Sequence, residues 1–153
     1  MQPEKAQKIH FVEVVKPPLW LLAFIFFLLA SLALSIWAAF DDRAGLIALV
    51  ASIIVLFVVR KAMAMRIEIR DGELRVGGAH IELKYLANAQ ELSVNQMRLT
   101  RGRDADPAAY LALRFWQPHG VKVEVRDDRD PTPYWLISSK NTKGLVETLR
   151  KNQ

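Results

Sequence analysis

Apolar and polar positions follow two different rhythms along this chain. From Leu19 to Phe40 the run LWLLAFIFFLLASLALSIWAAF has no charged residue. As a helix rising ~1.5 Å per residue it spans about 33 Å, enough for the apolar core of a bilayer. After Asp41, Asp42 and Arg43 a second apolar run, Ala44 to Val59, follows. It covers about 24 Å, and reaches across if Arg60 and Lys61 lay their stems along lipid with the charges among head groups. Buried core helices are the alternative reading, but the rest of the chain is too small to enclose two of them. The first run is too long for the apolar part of a cleaved signal peptide, and another apolar run follows at once, so it is expected to stay as an anchor.

After Met65 the period drops to two. RIEIR alternates Ile67 and Ile69 with charges, and Asp71-Gly72 is a strong hairpin turn. ELRV follows, then a Gly77-Gly78 turn, then the alternation of AHIEL. A strand is expected near QELSV, 90–94, with Leu92 and Val94 inward, and 95–107 reads as a loop. The stretch 108–116 reads as a strand with apolar residues on both faces, and VKVEV, 121–125, as another. Pro131 and Pro133 stand before YWLIS, where no ladder donor is needed, so this too reads as a strand. Asn141 caps a helix running to about Lys151, with Leu145, Val146 and Leu149 on one stripe. The expected fold is α+β: an N-terminal transmembrane helical hairpin, then a small antiparallel β-sandwich or barrel closed by a C-terminal helix. Seven strands followed by a helix is the order of a pleckstrin-homology-like domain. The expected divisions are 1–18 as an N-terminal segment, 19–59 as the hairpin (19–40 and 44–59), and 66–153 as the β-rich domain.

Charge adds orientation. Lys5, Lys8 and Lys16 precede the first span, Arg60, Lys61 and Arg66 follow the second, and the turn between holds two Asp and one Arg. The positive-inside bias puts both termini in the cytoplasm, with the protein multi-pass in the plasma membrane. Trp20 and Trp37 lie near the two ends of the first span, where aromatic belts form. Residues 66–153 hold 15 basic and 12 acidic side chains, close to balance, which argues against a nucleic-acid partner. The bilayer itself is the expected partner, with a membrane or cytoplasmic protein as a further candidate. No cysteine is present, which removes disulfides, thiolate metal sites and cysteine nucleophiles together.

Small residues recur every four positions as Ser31, Ser35 and Ala39 on the first span and as Ala44, Ala48 and Ser52 on the second. That spacing lets helix backbones approach, so these six form the expected seam. Neither span carries an internal charge that could serve as a proton relay. Asp127, Asp128 and Asp130 lack the glycine and distal glutamate of a calcium loop. His10, His80 and His119 have no metal-ligand spacing, Gly77-Gly78 lacks the rest of a phosphate loop, and Ser138 and Ser139 lack a recognisable base. No catalytic, metal or cofactor-binding residue is therefore assigned, and no cofactor is expected. Arg114 and Asp130 are a candidate charge pair, each surviving partial burial through the other. Trp116, Tyr134 and Trp135 are the candidate partner patch, because their strands are apolar on both faces and one helix cannot cover everything.

The stretch ADPAAYLALRFWQPHGVKVEVRDDRDPTPYWLISSK, 105–140, resembles a family of small actinobacterial membrane proteins of unknown function. Asp106-Pro107, Tyr110, Leu111, Arg114, Trp116, the valines of 121–125 and Asp130 to Leu136 carry the likeness. Asn141-Thr142 departs from it, where an Arg-Pro helix start belongs. The resemblance implies two N-terminal transmembrane helices and brings no activity with it. More loosely, the chain is similar to bacterial membrane proteins with pleckstrin-homology-like domains. Together these readings point to a non-enzymatic, membrane-tethered binding or scaffold protein or accessory subunit. The alternative is a lipid-headgroup-sensing module, disfavoured by the acidic tip Asp71-Gly72-Glu73.

Overall fold

A computed structural model describes residues 9–152. Lys5 and Lys8 of the orientation argument lie outside the described residues. The chain forms two compact units, one of which is Lys16–Ala64; the other combines the residues before it with those after it.

The Lys16–Ala64 unit is a helical hairpin. Helix α1 is Leu19–Ala39 and helix α2 is Asp42–Met63, slightly longer than the apolar run predicts because Arg60 and Lys61 continue the last turn. Asp41 caps α2, its carboxylate accepting the Ala44 N–H at 2.8 Å. Asp42 in the first turn and the two cations in the last complement the helix dipole. The tight turn is braced by Trp37, whose indole N–H donates to Asp42 at 2.8 Å. Its ring occupies the space a Cβ on residue 45 would need, which accounts for Gly45.

The second unit begins with a strand absent from the expected divisions. Strand β1, Ile9–Val15, pairs antiparallel with β2, Met65–Arg70, in a register ending on Val15 opposite Met65. Strands β3, Glu73–Val76, and β4, Ala79–Glu82, complete a four-stranded sheet in the order β1-β2-β3-β4. The expected Asp71-Gly72 turn joins β2 to β3, with both residues at positive φ as that tight hairpin requires. A short 3₁₀ turn, Leu83–Tyr85, leads into β5, Leu86–Leu92. Helix α3, Val94–Arg101, replaces the expected loop. Val94 does not point inward at a strand end; it opens this helix and is 47% exposed. Ser93 and Gln96 cap the helix reciprocally.

The strand expected over 108–116 is real only as β6, Tyr110–Ala112. Strands β7, Gly120–Val125, and β8, Tyr134–Ser138, follow, and helix α4 is Thr142–Asn152. The second sheet has the order β5-β7-β8-β6, and β6 runs parallel to β8. The domain is therefore mixed rather than purely antiparallel, because the excursion through α3 returns the chain beside β8 in the same direction.

One core holds the two sheets and α4 together. Ile67, Ile69 and Leu74 from the first sheet, Val121, Val123 and Ile137 from the second, and Leu145 and Leu149 from α4 are all fully buried. A second, smaller cluster covers the other face of β8 with Leu92, Met97, Tyr134 and Leu136. Strand β8 is thus buried on both faces, which is what the dense run Tyr-Trp-Leu-Ile serves.

Candidate functional site

A polar cluster lies where β1 meets the end of β8. Along β1, Phe11, Glu13 and Val15 share the side facing the core, so one carboxylate is set among apolar neighbours. Glu13 reaches the segment after β8 and accepts two short hydrogen bonds, from the Ser139 hydroxyl and the Lys140 N–H, both at 2.6 Å. Ser139 is fully buried, so its hydroxyl makes no contact with solvent. Its carbonyl accepts from the Gln117 side-chain amide at 2.9 Å, and its N–H donates to the His119 carbonyl at 3.2 Å. Ser138 accepts the Arg114 N–H at 3.0 Å. The result is a lock that ties the turn 113–119 and the β8 end to β1. Chemically this holds backbone in place; His119 contributes its carbonyl here, and the buried Ser139 hydroxyl is committed to a carboxylate.

That lock fixes two aromatic rings. Phe115 and Trp116 meet edge to face, 4.9 Å apart at 82°. Phe115 is 63% exposed, the most exposed large apolar side chain outside the helical hairpin among the described residues. Trp116 is half-buried, and its indole N–H is shielded from solvent with no acceptor among the described residues.

The expected patch of Trp116, Tyr134 and Trp135 does not form as a surface. Tyr134 and Trp135 are both buried. Trp135 sits in the main core against Tyr110, ring centroids 4.4 Å apart. Tyr134 belongs to the second cluster, its hydroxyl accepts the Asp106 N–H at 3.1 Å, and Lys122 lies over its ring. The reason is α3 with the segment after it, which covers the face of β8 that one C-terminal helix leaves open. Glu13, Gln117 and Phe115 are the residues that sequence reasoning missed; a lone glutamate inside the strand-like FVEVV was the available signal.

Arg114 and Asp130 each make a local contact with backbone. Arg114 donates its guanidinium to the Leu113 carbonyl at 2.9 Å, while Asp130 accepts the Thr132 N–H at 2.9 Å and so shapes the turn before β8. The neighbouring Asp127 holds the same loop from the other side. It accepts from the backbone and guanidinium of Arg129, and these hydrogen bonds lower its carboxyl below its ordinary range while raising Arg129. Arg129 also donates to the Tyr85 hydroxyl at 2.8 Å, tying the β7–β8 loop to the 3₁₀ turn. Hydrogen bonding to Glu82 and Tyr85 raises Lys84, and Asp104 raises Arg103. These are solvent-exposed groups that shape loops. Among the described residues no group of three or more His, Cys, Asp and Glu is placed to hold a metal ion.

The hairpin presents apolar side chains outward along both helices, including Phe27, Leu34, Ile47, Ile54 and Phe57. Two helices are long and apolar enough to cross a membrane. On α2 the seam follows Ala48 and Ser52, with Ser52 donating to its own helix at Ala48 O (2.7 Å) and approaching Leu29 O of α1 at 3.4 Å. On α1 the expected residues are turned away. Ser31, Ser35 and Ala39 are exposed, and both serines hydrogen-bond back to their own helix, at Phe27 O and Ser31 O. Ala33 is the buried small residue instead. Along this pair runs a shallow apolar groove of about 190 Å³, lined among others by Leu29, Ala33, Ala48 and Ser52.

No curated protein and no solved structure matches the chain. A family model described as a protein of unknown function, DUF3093, matches residues 10–149.

Proposed function

The chain belongs to the DUF3093 family, and on that premise we propose that it is a membrane-tethered binding or scaffold protein without catalytic chemistry of its own. Its domain is held at the cytoplasmic face of the plasma membrane by the α1–α2 hairpin. One observation carries this reading. The apolar hairpin is inserted between two paired strands, with Lys16, Pro17 and Pro18 before α1 and Ala64 after α2 as the only connections. A protein that needed only an anchor would do with one span on a flexible linker. Here two short connections feed adjacent strands of one sheet, which supports a tether that runs through the domain itself. Lys16, Arg60, Lys61 and Arg66 flank the spans on the domain side, and this positive bias supports that orientation.

The strand order also supports a pleckstrin-homology-like arrangement with the membrane hairpin placed in the first strand-to-strand turn. Four strands form one meander, β5, β7 and β8 form the next, and a helix closes the core. On that reading Asp71-Gly72 is the tip of the second hairpin, not the first. Lipid-headgroup sensing remains the alternative function; its support is this strand order, and the acidic residues Asp71 and Glu73 oppose it.

Because the chain has no cysteine, single cysteines test the topology directly. In intact cells an impermeant thiol reagent is expected to label Arg43→Cys alone. Labelling of Gln2→Cys or Gln153→Cys would overturn the orientation. Tagged full-length protein extracted from native membranes is expected to retain a protein partner. Recovery alone, together with salt-sensitive affinity for anionic vesicles beyond that of the hairpin, would favour headgroup sensing.

A further inference from the structure

We infer that Phe115 and Trp116 form an interfacial foot that dips into the lipid headgroup layer beside the point where the chain enters the membrane. The inference rests on the membrane reading of the hairpin and adds a second, non-helical contact with the bilayer.

Connectivity supplies the first part of the argument. Strand β1 ends at Val15 and α1 begins at Leu19; α2 ends at Met63 and β2 begins at Met65. At full extension these links reach at most about 14 Å and about 7 Å. With the hairpin inserted, the Val15–Met65 end of the sheet therefore lies close to head-group level. Glu13 is two residues back along β1, about 7 Å from that end. Ser139 and Lys140 are hydrogen-bonded to Glu13, and Gln117 to Ser139, so the turn carrying Phe115 and Trp116 is fixed to the membrane-proximal part of β1.

Chemistry supplies the second part. Phe115 leaves most of an apolar ring exposed on the domain surface. Trp116, half-buried and edge to face with that ring, extends the aromatic surface. Exposed aromatic rings beside a membrane anchor are suited to the membrane–water boundary, where their apolar faces leave water. Lys140, whose N–H is bonded to Glu13, gives a cation that an anionic head-group layer attracts.

The experiment uses full-length protein in nanodiscs of phosphatidylcholine and phosphatidylglycerol, with a small fluorophore on one introduced cysteine. Phe115→Cys is an exposed position, Leu28→Cys reports the middle of α1, and Glu82→Cys lies at the end of the first sheet remote from Val15 and Met65. Lipids carrying a nitroxide on the head group, or deep in the acyl chain, serve as quenchers. The expected result is loss of Phe115 emission with the head-group quencher, loss of Leu28 emission with the deep quencher, and no loss at Glu82. Quenching at Leu28 with none at Phe115, or equal quenching at Phe115 and Glu82, overturns the foot while leaving the hairpin in the membrane. An unquenched Leu28 overturns the membrane reading beneath it.

Discussion

Gly120 shows how tightly single residues are held in this domain. A Cβ there would strike the Ile137 carbonyl and approach Met97 Sδ to 2.8 Å, so the first residue of β7 has to be glycine for α3 to lie close above β8. Gly120→Ala is expected to lower stability by about 1–3 kcal/mol, the usual cost of overpacking. Chemical denaturation of the full-length protein in detergent measures it, and an unchanged midpoint would mean that the backbone shifts away freely. Glu13 makes the opposite kind of contribution. Glu13→Ala leaves the buried Ser139 hydroxyl without its acceptor, at about 1–3 kcal/mol, and hands the exposed Lys140 N–H to water. Glu13→Gln keeps one acceptor oxygen and is expected to cost clearly less; equal losses from the two variants would show that only side-chain volume matters. Neither residue was legible in the sequence as part of this corner. Glu13's partners lie more than a hundred positions away, and Gly120's lie on other elements, Met97 and Ile137, so no local period records either contact.

At the scale of elements, legibility followed length and regularity. Both apolar helices, the β2–β3 hairpin and α4 were readable because each repeats its own period over several residues. Helix α3 was not, since among its eight residues only Met97 is buried. Its one sequence sign was the capping pair Ser93 and Gln96, three apart. Missing that helix produced the error at β8, because Tyr134 and Leu136 then lacked anything to cover them. Leu149 on α4 is fully buried in the main core, so Leu149→Ala is expected to cost about 2–5 kcal/mol. A melting curve unchanged by that substitution would show that α4 is not docked. The hairpin offers a parallel test, because Ser31, Ser35 and Ala39 make a four-residue stripe on α1, yet the small residue buried there is Ala33, which lies off that stripe. Ala33→Leu places bulk in the buried seam, whereas Ser35→Leu adds it on an exposed face. Protease resistance of the hairpin in detergent is expected to fall for Ala33→Leu and hold for Ser35→Leu; the reverse order would return the seam to the serine stripe.

For the whole molecule, the sequence suggested two parts in series, an anchor and then a domain, and the chain instead threads its anchor through the domain's first strand pair. Strand β1 escaped notice because His10, Val12 and Val14 face out while Phe11, Glu13 and Val15 face in, so valines occupy both sides and a carboxylate interrupts the core side. Its partner is also some fifty residues away, beyond any short-range signal. The consequence is that residues 65–152 are not a complete folding unit. Without β1 the domain loses a fully buried Val15, the packing of Phe11, the Glu13 lock and the pairing of β2's outer edge. Two apolar side chains at roughly 1.5–3 kcal/mol each, with the lost hydrogen bonds, approach the whole stability of about 5–15 kcal/mol typical of a domain. Residues 65–152 alone are therefore expected to lack cooperative folding. Because Val15 and Met65 face each other across the ladder, a two-residue Asn-Gly turn can replace the hairpin and join 9–15 directly to 65–152. That shortened chain is expected to be soluble, to show dispersed amide resonances and to melt cooperatively. If 65–152 alone melts with the same midpoint as the joined chain, β1 is an accessory to the domain and the insertion of the hairpin carries no structural weight.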